Sequence, residues 1–378
     1  MTTYHRTTTS FRQGARTLPG EYCTAPEIFA EEQERLFPRQ WHCVGRADRL
    51  ARPGDYLVRT VAGESMVVLR DRGGTLRAFF NVCRHRGTRI CMEPEGHFSE
   101  TIQCPYHAWT WTTDGRLIGA PHMQDVEGFD KKDYPLHTAA TAEWEGFVFV
   151  NIGTEPEPFE SAFAPVLTRF RRFHLPRLTP GHQAHYEVRA NWKLVFQNYS
   201  ECLHCPIIHP QLSEVLPYQS GANDLVEGPF LGGYMELTPP NTSATMSGRS
   251  CAKPIDPDLS LEDRRRAFYY SLMPNFLLSI QPDYVNYYLI TPVTPTLTLV
   301  DSEWLFHPDN EGDPAFNPQD AIEFWDVTNR QDWDIVARSQ LGIASRRYAP
   351  GPYSARESIP AAWDRNYLRM MGRETVNG

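Results

Sequence analysis

Cys83-Arg84-His85 and, after a gap of eighteen residues, Cys104-Pro105-Tyr106-His107 form the stretch that decides the fold. Together they spell C-x-H then C-x-x-H, two thiols and two imidazoles in matched pairs. That is the ligand set of a [2Fe–2S] cluster in which two histidines replace two cysteines on one iron. Cys₄ ferredoxin and zinc-ribbon sites use paired C-x-x-C spacings instead. Structural zinc also accepts Cys₂His₂, but zinc fingers of that type carry their histidines as a C-terminal pair. Here each cysteine has its own histidine two or three residues on, so each loop offers one sulfur and one nitrogen. Gly87, Pro105 and Gly115 fall where tight loops must fold back over a cluster. Cys91 has no histidine at a matching offset and reads as a small buried side chain. His97 and His122 lie outside the pattern and read as surface or loop residues.

Around this pattern the chain alternates. Tyr56-Leu57-Val58, Met66-Val67-Val68-Leu69 and Leu76–Val82 are short apolar runs separated by Gly63-Glu64-Ser65 and Gly73-Gly74. Such punctuation predicts a small antiparallel β domain with the four cluster residues in its loops. It closes near Gly146–Asn151, and Glu155-Pro156-Glu157-Pro158 marks a linker. Before it, a helix is expected around Pro26–Leu36. After it come strands such as Tyr284–Ile290 and Thr298–Phe306 and a long helix over roughly Pro318–Gln340. The expected class is α+β: a small antiparallel cluster domain, then a larger catalytic domain whose antiparallel sheet is covered by helices. The expected division is an N-terminal segment over 1–41 packing with the catalytic domain, the cluster domain over 42–153, and the catalytic domain over 154–378.

Length and composition agree with two globular domains: 378 residues, 41% hydrophobic and 22% charged. A net charge of −9 without a long basic run argues against nucleic acid as a partner. The densest basic cluster, Arg264-Arg265-Arg266, follows Glu262 and Asp263 and reads as a solvated helix face. Eight cysteines in so long a chain do not make a disulfide scaffold. Met1 to Arg16 is polar with no apolar core of a secretory signal, and no stretch approaches a membrane span. A cytoplasmic protein without membrane contact is expected.

A second cluster of metal-binding types lies in Asn191–His204 and just beyond. Trp192, Val195, Phe196 and Tyr199 have helical apolar spacing, and Asn198, Glu201 and His204 continue at three-residue steps on one stripe. Pro206 breaks the helix, so His209 falls on the following turn and can swing back toward His204. Two neutral imidazoles and one carboxylate make the facial triad of non-haem Fe(II) oxygenases, with positions left open for O₂ and substrate. Glu201 precedes His204 by three residues on the same expected helix, so a carboxylate from elsewhere suits a three-ligand face better. Asp332 is that candidate: it shares a helical face with Trp325, Ile335 and Val336, where a carboxylate is costly without a partner. Asp334 faces Arg330 and Arg338 as a solvated ion-pair face, and Asp326 is off the apolar stripe.

With these residues in place, the chain resembles the large (α) subunits of Rieske non-haem iron oxygenases over nearly its whole length. The family's E/D-x-x-H-x₄-H motif stands here as Glu201, His204 and His209. The resemblance implies a homotrimer with the cluster of one subunit beside the mononuclear iron of its neighbour. Glu201 would bridge the two by hydrogen bonds to histidines in the positions of His107 and His204, and Asn198 matches a family asparagine close to the iron; these two are the candidate catalytic residues. The implied cofactors are a Rieske [2Fe–2S] cluster on Cys83, His85, Cys104 and His107 and a mononuclear Fe(II) on His204, His209 and Asp332. Electrons would come from NAD(P)H through a separate flavin- or ferredoxin-type reductase, since nothing in the chain binds flavin or nucleotide. Within the family the chain is most similar to quaternary-ammonium oxygenases, especially those that demethylate glycine betaine. Asn81–Gly87, Asn191–Val195, Glu201–Cys205 and Tyr348–Ser354 carry that likeness. The chain departs by being shorter between His209 and the last helix, where the substrate pocket is expected. For a quaternary ammonium substrate, Tyr218, Phe230, Tyr234, Tyr284, Tyr287 and Tyr288 are candidates for a cation–π cage, set against plain sheet packing. Three rival readings stay open: an aromatic-ring dioxygenase, an electron-transfer protein without oxygenase activity, and a non-redox zinc protein.

Overall fold

Alternating apolar side chains zip the first half of the chain into antiparallel ladders. The computed structural model describes residues 3–373. The extremes of the expected first and last segments, 1–2 and 374–378, lie outside the described residues. Residues 33–164 make one unit, and residues up to Glu32 together with those from Pro165 onward make the other.

In the 33–164 unit a seven-stranded sheet runs in the order His42–Arg46, Phe147–Asn151, Thr138–Trp144, Leu76–Phe80, Glu64–Arg70, Asp55–Val61, Glu95–His97. Leu57, Val61, Met66, Val68, Val148 and Val150 fill one side of it. A smaller sheet, Thr101–Gln103, Thr110–Thr112 and Leu117–Gly119, stands by itself. Trp109 and Trp111 pack with Phe79, Ile102, Cys83 and Cys104 in a second core, and the two Cys-x-His loops rest on that core. Gly115 has φ +90°, and a Cβ there would come within 2.6 Å of the Phe79 ring.

The other unit is built on an eight-stranded sheet in which every adjacent pair is antiparallel. Its order is His5–Arg6, Ala222–Leu225, Phe230–Glu236, Arg266–Leu272, Phe276–Ile280, Tyr284–Thr294, Leu297–Phe306, Thr179–Val188. Five of this unit's helices position the site: α1 (Trp192–Tyr199), α2 (Cys205–Ile208), α3 (Pro210–Val215), α4 (Pro318–Ile343) and α5 (Ser358–Met370). With the sheet and helices together, the chain is α+β. Among the described residues no helix is long and apolar enough to cross a membrane.

α1 starts where Asn191 Oδ1 accepts from the Lys193 N–H, an N-cap. The Asn191 N–H donates to Gln340 Oε1, whose amide also reaches the Cys23 carbonyl, so the start of α1 is tied to α4. Lys193 itself is fully buried and pairs with the equally buried Glu32 at 2.5 Å. Glu32 also accepts from Trp192 Nε1 at 2.9 Å and from the Tyr367 hydroxyl at 2.5 Å. The Lys193 ammonium sits 5.2 Å from the Trp192 ring centroid and 5.0 Å from that of Tyr367.

The basic cluster at 264–266 is not the solvated helix face expected from its neighbours. Only Asp263–Arg265 is helical, and Arg266 opens a strand and is buried. Its guanidinium lies 3.8 Å from the Tyr234 ring centroid and pairs with Glu262. Strand alternation turns it inward, where ring and carboxylate replace water.

Removing one partner of a buried ion pair strands the other charge. Lys193→Met is expected to destabilise this unit by about 3–5 kcal/mol, and Glu32→Leu combined with Lys193→Met to recover most of that loss. Urea midpoints followed by tryptophan fluorescence would show it; additive losses in the double variant would refute the pairing.

Candidate functional site

Two nearly matching turns carry the first set of residues. After Leu76–Phe80, the Cys83 carbonyl accepts from the Gly87 N–H at 3.0 Å; after Thr101–Gln103, the Cys104 carbonyl accepts from the Ala108 N–H at 3.2 Å. Gly87 (φ +75°) and Ala108 (φ +56°) take the left-handed conformation that closes each turn. Cys83 and Cys104 are buried and their thiols face each other; burial first, then the neighbouring Cys104, raises the Cys83 thiol. The His85 and His107 rings lie 4.8 Å apart, and His85 stacks on Trp109 at 4.9 Å. His85 Nδ1 is shielded from solvent and has no hydrogen-bond partner among the described residues. Two adjoining thiols and an orphaned imidazole nitrogen are the donor set that a two-Cys, two-His [2Fe–2S] cluster requires, and the residues fit it.

The second set gathers at the end of α1. The helix stops at Tyr199, and Ser200 turns its hydroxyl onto the Phe196 carbonyl at 2.6 Å. Glu201 and His204 therefore lie on a loop, not on a continued helix as their spacing suggests. Pro206 stands in the first turn of α2 and Pro210 in that of α3. The residue before a proline is kept out of helical conformation, so His209 (φ −126°) forms the bend between α2 and α3.

Both imidazoles converge on one carboxylate. His209 Nε2 is 2.8 Å and His204 Nε2 3.3 Å from Asp332 Oδ1. The other nitrogen of each ring is tethered: His204 Nδ1 to Glu201 Oε1 at 2.6 Å and His209 Nδ1 to Gln331 Oε1 at 2.7 Å. Glu201 Oε2 also accepts the Leu203 N–H, and Asn198 Nδ2 lies 3.4 Å from His204 Nε2. With Nδ1 tethered, each Nε2 is aimed at one common place, the orientation metal-ligating histidines take once Nε2 gives up its proton. α4 is held in register beneath them by a chain from Tyr288 to Asn329 to Tyr186 to Asp326. On its outer face, Arg330 pairs with Asp326 and Arg338 with Asp334.

Charge in the site calls for a cation. Burial alone would lower the His204 value, but Asp332 and Glu201 outweigh it and push it up to about 10. Burial likewise disfavours the Asp332 carboxylate, yet the hydrogen bonds from His204 and His209 hold its pKa below the ordinary value. Two imidazoles and a carboxylate sharing one focus fit a divalent metal.

A cavity of about 70 Å³ opens on His204, His209 and Asp332 and is walled by Tyr199, Met235, Tyr269, Trp325 and Thr328. None of the six aromatics expected from the sequence lines it. Four of them turn their hydroxyls to the sheet and its cover instead: Tyr234 meets Arg266, Tyr284 meets Ala244, Tyr287 meets Glu303 and Tyr288 meets Asn329. Tyr199 and Trp325 were legible as neighbours of Asn198 and Asp332; Tyr269 carried no local signal. A wider cleft of about 640 Å³ reaches Asn198, Glu201 and His204 and is bounded by Ile335, Val336, Tyr348 and Tyr353. Sequence reasoning also missed Gln331 and a disulfide between Cys202 and Cys205; the C-x-x-C spacing was the available clue.

Comparison with known proteins agrees with both halves. The family described as Ring hydroxylating alpha subunit (catalytic domain) matches residues 175–373, and the Rieske [2Fe-2S] domain matches residues 40–130. The chain is 29% identical to the glycine betaine monooxygenase oxygenase subunit of Chromohalobacter salexigens, covering 91% of this chain and 83% of the relative. It is 31% identical to the carnitine monooxygenase oxygenase subunit of Acinetobacter pittii, covering 88% and 87%. The crystal structure of the quaternary ammonium Rieske monooxygenase CntA with L-carnitine superposes with a TM-score of 0.79 at 26% identity, over 94% of this chain and 96% of that one.

The raised His204 value gives a signed expectation for metal-free protein. Stabilisation from the imidazolium is complete below the unfolded histidine value near 6.5 and is lost as pH rises through about 10. The melting-temperature gap between the parent protein and a His204→Asn variant should therefore narrow from pH 7 to pH 10.5 in calorimetry. A gap that stays constant would refute the assignment.

Proposed function

This chain belongs to the ring-hydroxylating α-subunit family of Rieske oxygenases, and from that premise we propose that it removes a methyl group from a small quaternary ammonium compound of the betaine class. It is the terminal oxygenase component of a Rieske-type mononuclear non-haem iron system. One observation carries the substrate: the cavity at His204, His209 and Asp332 is small, aromatic and free of lysine and arginine among its lining residues. Carboxylates and ring faces attract a cation, and a basic wall would repel it. The relatives named for glycine betaine and carnitine point the same way.

When bound, the cluster and the iron supply single electrons and O₂ activation, so that one oxygen atom enters an N-methyl C–H bond and the hydroxymethyl product collapses to formaldehyde and the tertiary amine. We assign the cluster to Cys83, His85, Cys104 and His107, and the iron to His204, His209 and Asp332. Glu201 and Gln331 hold the two imidazoles in the tautomer that presents Nε2. Tyr199, Tyr269 and Trp325 position the cationic head and exclude water from it. Glu201 also faces the wide cleft, where the cluster of a second copy can approach. A homotrimer, a flavin- or ferredoxin-type NAD(P)H reductase as electron donor and a cytoplasmic location complete the proposal.

A panel of betaines, carnitine and simple aromatics with a surrogate reductase tests the substrate. Oxygen uptake matched by formaldehyde is expected for the quaternary ammonium compounds, whereas cis-diols from the aromatics would overturn the reading. His204→Ala and Asp332→Ala should keep the brown cluster spectrum, lose mononuclear iron and lower turnover at least 10²-fold. Glu201→Gln should keep both metals and lose electron transfer between them, visible as slow reoxidation of the reduced cluster in single turnover. Full turnover in Asp332→Ala would eliminate it as the third ligand.

A further inference from the structure

Sulfur lies next to the nitrogen ligands. Cys202 and Cys205 bracket His204 in sequence, are joined by a disulfide and line the same 70 Å³ cavity as His204, His209 and Asp332. Cys205 Sγ is 3.8 Å from His204 Nε2, and the ligand atoms of His204, Cys205 and His209 all lie within 4.8 Å of one another. Cys205 is 2% exposed, while Cys202 is only half-buried and within reach of a small reagent. The other six cysteines are buried and form no disulfide. Burial pushes the thiols of Cys23 and Cys43 up to about 12 and that of Cys91 up to about 11, which keeps those three unreactive. Burial raises Cys251 as well, and Cys83 and Cys104 belong to the cluster assignment, so thiol redox chemistry centres on the pair beside His204 and His209.

We propose that Cys202 and Cys205 are a reversible redox pair that sets which metal the site accepts. Bridged, the pair withholds the Cys205 sulfur and leaves two imidazoles and a carboxylate, a set suited to iron. Opened, it offers a thiolate beside the same imidazoles, a set that favours zinc. The inference rests on the reading of His204, His209 and Asp332 as metal ligands.

Opening requires a dithiol reductant. Its thiolate attacks the more exposed Cys202 sulfur and the S–S bond breaks. The mixed disulfide is then resolved by the reductant's second thiol, leaving two protein thiols and one oxidised dithiol. Closing requires a peroxide, the two-electron reduction product of O₂. Hydrogen peroxide takes the Cys202 thiol, reacting through its thiolate, to a sulfenic acid with loss of one water, and the Cys205 thiol displaces a second water as the S–S bond forms. Zinc uptake by the opened form releases the Cys205 thiol proton.

The test uses full-length, cluster-loaded protein stripped of its mononuclear metal by a chelator. One half stays bridged and the other is opened with a dithiol, with alkylation at 202 and 205 read by mass spectrometry. Each half then receives equal Fe(II) and Zn(II) without oxygen. The zinc-to-iron ratio is expected to rise at least tenfold on opening, and zinc-edge X-ray absorption should show a sulfur neighbour at about 2.3 Å. Cys202→Ser should behave as the opened form without any dithiol. Cys205→Ser should show only nitrogen and oxygen neighbours in both states. An unchanged ratio, a pair that never becomes alkylable, or no sulfur neighbour in opened protein and in Cys202→Ser would overturn the proposal. Iron uptake lost in His204→Ala would leave the ligand reading standing in those cases; iron uptake unaffected there would sink that reading as well.

Discussion

The buried pair of Glu32 and Lys193 is the constraint on which the site rests. Neither side chain touches water, so each charge is tolerable only while the other is in place. The indole of Trp192 and the hydroxyl of Tyr367 fill further acceptor positions on Glu32, which turns a costly pair into a satisfied network. Because Lys193 opens α1, the network fixes the axis of the helix whose far end carries Asn198. Gln340 then ties the same helix start to α4, which carries Asp332. Asn198 and Asp332, on separate helices, are thus referred to one polar anchor about two turns away from α1's last residue.

Within the site, electrostatics and tethering act in one direction. Two carboxylates around two imidazoles make a negative focus, and that focus keeps His204 charged far above its ordinary range when no metal competes. The tethers decide direction, since Glu201 and Gln331 each occupy the Nδ1 side of a ring. Gln331 adjoins Asp332 on α4, so one helix supplies a carboxylate and also orients an imidazole. Gln331 orients His209 from a rigid helix, whereas Glu201 orients His204 from the loop that both share, where the Leu203 N–H pins its carboxylate.

The fold class and the two groupings of candidate ligand residues were legible because their signals are local. A C-x-H…C-x-x-H pattern, a run of alternating strands and a helical Asp332 beside apolar neighbours depend on spacing alone. What was not legible depends on other elements. The end of α1 at Tyr199 follows from Ser200 capping back on Phe196, and an unbroken three-residue rhythm through Glu201 and His204 concealed it. The aromatic lining was misplaced because strand tyrosines such as Tyr287 and Tyr288 spend their hydroxyls on cross-sheet partners that no local pattern names. Arg266 belongs to the same class: it ends a basic run that follows Glu262 and Asp263, but its strand faces it toward Tyr234.

The anchor also has a meaning for how the chain is made. Glu32 is the last residue of the leading piece of its unit, and Lys193 arrives only after residues 33–164 have been synthesised. Emerging from the ribosome, the intervening unit has all of its strands before the carboxylate has its cation. Residues 33–164 are therefore complete as a chain before the two flanking pieces can meet. A fragment beginning at residue 165 would lack Glu32 altogether and leave an ammonium ion stranded in its interior. The iron-binding unit is one body assembled from two separated lengths of chain, and dissection that treats it as a contiguous module would destroy it.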